Sequence, residues 1–125
     1  MKILVKATIA LACILAACKQ HQESLYAKTT PDFDNTIGYI KKTASFQEVK
    51  YTFYDEKKYI LLDLKGGSQI PEDSTALQNI CLKINGFVKQ GISNIKDYDS
   101  LYIRIYKEVP DDTREYWYRF GAKNL

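Results

Sequence analysis

The sequence is poor in the side chains that most enzyme sites are built from. Its 125 residues include one histidine, His21, one tryptophan and three cysteines. A single histidine near the start of the chain cannot serve a Ser-His-Asp or Cys-His site in a domain that follows it, and no His/Cys cluster has zinc-ligand spacing. The Gly-rich stretch Gly66-Gly67-Ser68 lacks the Lys-Ser/Thr ending of a phosphate loop, and it reads as a connection between a strand and a helix. Carboxylate pairs occur at Asp32/Asp34, Asp55/Glu56, Glu72/Asp73, Asp97/Asp99 and Asp111/Asp112. Each has a local role in a turn or at a helix start, and none forms the alternating oxygen-ligand pattern of a calcium loop. The expectation is a protein with no catalytic residues, no metal and no cofactor.

A long apolar run is also missing. The eleven residues from Ala7 to Ala17 carry no charge and follow Lys2 and Lys6. A spanning helix needs about 20 apolar residues, so this segment reads as an export signal and not as a permanent span. Directly behind it stands Leu15-Ala16-Ala17-Cys18. This resembles the lipobox of bacterial lipoproteins. The resemblance implies cleavage before Cys18, diacylglyceryl attachment to its sulfur and a further acyl chain such as palmitate on the freed amine. Two or more chains hold a protein on a membrane surface. It also implies a cell-envelope location. Lys19, where retention at the inner membrane tends to require Asp, favours the outer membrane facing the periplasm.

With residues 1–17 set aside as signal, Lys+Arg falls from 18 to 16 against 15 Asp+Glu, and the formal charge falls from +3 to +1. Basicity then gives no argument for nucleic acid. Cys13 leaves with the signal and Cys18 is taken by lipid, so Cys81 stands alone and no internal disulfide forms. Cys81 lies on the apolar stripe of a helix, the setting of a small buried hydrophobe and not of a reactive thiol. The expected organisation is a signal over 1–17, a lipidated cysteine and flexible tether over 18–32, and one small domain over 33–125, held together by a hydrophobic core.

Within the domain, Phe33, Ile37, Ile40 and Ala44 recur at helical spacing, with Asp34 available as N-cap. Val49, Tyr51 and Phe53 alternate with polar residues, and a turn at Asp55 to Lys58 leads into Tyr59-Ile60-Leu61-Leu62-Asp63-Leu64, a β-hairpin. A second helix starts at Pro71 to Ser74, where proline and acids suit a helix N-terminus. It carries Leu77, Ile80, Cys81, Ile84, Phe87 and Val88 and runs to Gly91, with Asn85-Gly86 as a possible earlier stop. A second hairpin pairs residues from Ser100 onward with Arg114 to Phe120 through a turn over Val109 to Thr113. The order is αββαββ, an α+β fold, with topology suggesting a tandem αββ repeat. Two striped helices are expected to cover one face of a four-stranded antiparallel sheet.

Alternation then fixes the opposite face. Lys50, Thr52, Tyr54, Tyr59, Leu61, Asp63, Tyr102, Arg104, Tyr106, Glu115, Trp117 and Arg119 point outward. Tyrosine, tryptophan and arginine are the types enriched at binding hot spots, so Tyr54, Tyr59, Tyr102, Arg104, Tyr106, Trp117 and Arg119 form the expected partner-binding set. Cross-strand aromatic pairs also stabilise sheets, and ten tyrosines satisfy that role equally well. The function expected is a lipid-anchored, non-enzymatic envelope protein binding an envelope or secreted protein, as an inhibitor, an immunity protein or an accessory subunit. The alternative is a small-ligand or glycan binder. Membrane contact runs through the acyl chains on Cys18, and nucleic acid is not a partner.

Overall fold

The computed structural model describes residues 26–121. Cys18 and the expected lipoprotein signal lie outside the described residues. In chain order the elements are α1 (Phe33–Lys42), β1 (Glu48–Tyr54), β2 (Tyr59–Lys65), α2 (Ser74–Gly91), a short 3-10 turn (Ile95–Asp97), β3 (Ser100–Val109) and β4 (Asp112–Gly121). The fold is α+β with the expected αββαββ order, and the four strands lie side by side as β1-β2-β3-β4.

One pairing departs from the expected antiparallel sheet. The two hairpins are antiparallel, but β2 and β3 run parallel, with Asp63 opposite Arg104 and Leu61 opposite Tyr102. The cause is α2. Its 18 residues rise about 27 Å, enough to carry the chain from the end of β2 back past its start, so β3 sets out in the same direction. A translated copy of the first αββ unit would place β3 antiparallel to β2. The two units therefore share an order of elements and not a repeated arrangement.

Both helices cover the same face. Val49, Tyr51, Phe53, Ile60, Leu62, Leu64, Leu101, Ile103, Ile105 and Phe120 from the strands meet Ile40, Leu77, Cys81, Ile84 and Val88 from the helices in one core, with Tyr116 and Tyr118 packed at its edge. Burial pushes the Cys81 thiol up to about 12 and raises the Tyr51 phenol far above its ordinary value, the Thr36 hydroxyl opposing. α2 runs unbroken through Asn85-Gly86, and Asp73 caps it by accepting from the Ala76 N–H at 3.1 Å. At α1 the expected cap at Asp34 is displaced. Asp32 holds the N-cap position, and its carboxylate accepts from Asn35 and from Gln90 of α2 instead of from the backbone.

The tether also ends earlier than expected. Past Gly91 the chain turns extended, and its backbone groups need partners. Residues 28–30 supply them: Thr30 N–H donates to Gly91 C=O at 2.9 Å, Ser93 N–H donates to Lys28 C=O at 2.8 Å, and Thr29 bridges Ile92. Tyr26 packs edge-on against buried Tyr98, which donates to Asp55 in the first hairpin turn. Residues 26–32, expected in the tether, thus belong to the folded unit.

The second turn is tighter than the expected Val109 to Thr113. Val109 pairs with Asp112, which leaves Pro110 and Asp111 as a two-residue corner. Proline fixes the first corner and Asp111 takes φ 66° at the second, the backbone of a type II turn.

Candidate aromatic sheet face

The parallel register brings distant residues into rows across the outer face. One row reads Lys50, Asp63, Arg104 and Trp117, and the next reads Thr52, Leu61, Tyr102 and Arg119. At the end of the sheet Tyr54 is opposite Tyr59. The rings form a continuous series: Tyr54 and Tyr59 stack at 4.4 Å, Tyr59 meets Tyr102 edge-on at 5.4 Å, and Tyr102 meets Trp117 edge-on at 6.5 Å.

Arg104 organises the other half. Its Nε donates to Asp63 Oδ1, and its guanidinium lies 4.8 Å from the Trp117 ring centre and 5.0 Å from that of Tyr106. The Asp63 contact raises the Arg104 pKa further, although burial opposes it. Lys65 sits over the same Tyr106 ring at 5.1 Å, and desolvation raises the Tyr106 phenol above its ordinary value. Cations over aromatic faces attract the ring quadrupole. Here one guanidinium bonds a carboxylate and lies over two rings at once.

Tyr54, Tyr59, Leu61, Tyr102, Arg104 and Trp117 line one open depression of about 390 Å³. Trp117 is 51% exposed and Tyr54 37%. Five of the seven expected partner-binding residues therefore share one site. The other two stand beside it. Tyr106 lies on the far side of Arg104, and Arg119 turns along the sheet to donate to the Ser100 hydroxyl at 2.9 Å. Leu61 and Asp63 do lie on the outward face, yet both are buried, because the surrounding rings and the Arg104 side chain close over them. Leu61 is the floor of the depression and Asp63 its anchor. Sequence alternation placed both outward without assigning them to the site, and the signal that assigns them is the β2–β3 register.

The face offers stacking surface, a polar rim of phenol hydroxyls and one oriented guanidinium. Among the described residues, no group of three or more His, Cys, Asp or Glu side chains could hold a metal ion, and no helix is long and apolar enough to cross a membrane. No family model, no curated protein and no solved structure matches the chain.

Proposed function

We propose that this chain is a lipid-anchored, non-enzymatic envelope protein that binds another protein through the aromatic outer face of its sheet. One observation carries the binding reading: four aromatic rings and an arginine, drawn from all four strands, line a single open depression. Tyrosine, tryptophan and arginine bring large contact area at low entropic cost, and binding energy concentrates on them. Small-molecule sites enclose most of their occupant. The half-exposed Trp117 and Tyr54 stand on an open surface instead, which favours a protein partner. A glycan is the second reading, favoured by the depression's volume of about 390 Å³ between flat rings.

Anchoring rests on the lipobox at Leu15 to Cys18, and outer-membrane residence facing the periplasm rests on Lys19. Residues 19–25 separate Cys18 from Tyr26. Seven residues span at most about 25 Å in any conformation, so the domain works close to the headgroups.

The test uses residues 19–125 as bait on envelope and secreted fractions, comparing wild type with Tyr102→Ala/Trp117→Ala. A partner held by the wild type and lost by the variant supports the proposal. A partner held equally by both contradicts it. Retention of an envelope glycan in place of a protein selects the second reading.

A further inference from the structure

Both outer strands of the sheet lack a strand partner among the described residues, and they are built differently. β1 has seven residues and exposes Lys50 in its middle, a device that discourages pairing at an edge. β4 has ten residues, no proline and little burial before Phe120. An edge of that length presents a row of N–H and C=O groups to any strand that fits it.

The charges on β4 specify what fits. Glu115 and Arg119 flank Trp117 on the outer face, each two residues away. Neither forms an ion pair: the salt bridges among the described residues are Arg104–Asp63 and Lys107–Glu72. We propose that β4 pairs antiparallel with β4 of a second copy of this chain, with Trp117 on the two-fold axis. In such an isologous pair each residue faces the one equally far from Trp117 on the other side. Tyr116 then faces Tyr118, Arg114 faces Phe120, and Glu115 faces Arg119 twice. Directly opposed residues share a face of the sheet, so all four helices stay on one side of a continuous eight-stranded sheet.

The register follows from the charges. Moving the axis to Tyr116 or Tyr118 sets Glu115 and Arg119 opposite uncharged residues. Moving it to Glu115 sets two carboxylates face to face, which is destabilising. Centred on Trp117, the pairing uses both opposite charges twice and joins the two aromatic faces at their tryptophans. This assembly needs neither the anchor nor the partner proposed above.

The described core is built from residues between Ala27 and Phe120, so a chain of residues 19–125 retains the fold and suits sedimentation equilibrium at up to about 1 mM. The wild type is expected to form a reversible dimer. Glu115→Arg and Arg119→Glu each turn both attractive pairs repulsive and weaken self-association by about tenfold or more. An equimolar mixture of the two variants restores complementarity and forms a heterodimer, and Glu115→Arg/Arg119→Glu dimerises like wild type. A monomeric wild type throughout this range overturns the inference. So do single variants that self-associate normally, or a mixture that stays monomeric. Tyr59→Ala/Tyr102→Ala separates the two proposals: it leaves the dimer intact and removes the envelope partner. A monomeric wild type that still captures its partner overturns this inference alone.

Discussion

Arg104→Ala removes the group on which the outer face is organised. Asp63 is 7% exposed and would keep its carboxylate under the surrounding rings with no cation beside it. Removing one partner of a fully buried pair costs about 3–5 kcal/mol. The Arg104 side chain is 24% exposed, so water reaches this site and the figure drops to about 2–3 kcal/mol. Loss of the contacts to Trp117 and Tyr106 adds about 0.5–1 kcal/mol each. The total, about 3–5 kcal/mol, lowers the melting temperature of a domain this size by about 15–25 °C. Asp63→Ala costs less, because a freed guanidinium can swing into water while a freed carboxylate under the rings cannot. Thermal and urea unfolding of both variants and of the double variant measures the coupling, expected at about 2 kcal/mol. A loss in Arg104→Ala under about 0.5 kcal/mol, with no coupling to Asp63, is the behaviour of an exposed surface pair. It would refute the view that this face is held in a fixed arrangement.

Glycines of α2 give opposite signs under one substitution. A methyl at Gly91 meets the Thr36 hydroxyl at 2.8 Å and Phe33 at 3.2 Å, where α1 crosses, so Gly91→Ala is expected to cost about 1–3 kcal/mol. Nothing lies within 4 Å of a methyl at Gly86, so Gly86→Ala gains about 0.5–1 kcal/mol from helix propensity; urea midpoints check both. Alkaline stability follows from two buried acids, Cys81 at about 12 and Tyr51 with its phenol raised. The unfolded chain releases these protons first, so stability holds below about pH 9 and falls above it, by up to about 1.4 kcal/mol per pH unit for each group. Urea midpoints against pH should flatten in Tyr51→Phe and in Cys81→Ala. In residues 19–125 the Cys81 thiol should react with a disulfide reagent at pH 8 only on unfolding, and rapid reaction of the folded chain contradicts its burial. In the full chain, Cys18→Ser should abolish lipid labelling and leave the precursor uncleaved; continued labelling overturns the anchor proposal.

Local patterns carried most of the fold into the sequence. Period-two alternation set the inner and outer faces of all four strands, since one face had to meet a core, and the stripe from Leu77 to Val88 set α2 despite Asn85-Gly86. Long-range geometry was less legible. The parallel β2–β3 pairing depends on where α2 sets the chain down, which no residue pattern encodes. With the pairing went the Asp63–Arg104 contact and the floor role of Leu61. Tyr98 sits in a non-periodic stretch, so its burial between Tyr26 and Phe53 left no pattern to read. The docking of residues 28–30 on the end of α2 combines backbone bonds with bonds from the Thr30, Ser93 and Asn94 side chains, between residues 60 or more apart in sequence, so no local pattern announces it. The aromatic set itself was legible because alternation alone brings Tyr54, Tyr59, Tyr102, Arg104 and Trp117 to one side.

The central claim, that the sheet face is where a partner docks, is tested most directly in the full chain. A photo-crosslinking residue is placed at Tyr102, inside the depression, or at Tyr39, 40% exposed on α1. Irradiation of the cells that make the protein should give a discrete protein adduct from position 102 and none from position 39. Adducts from position 39, with none from position 102, would contradict the assignment.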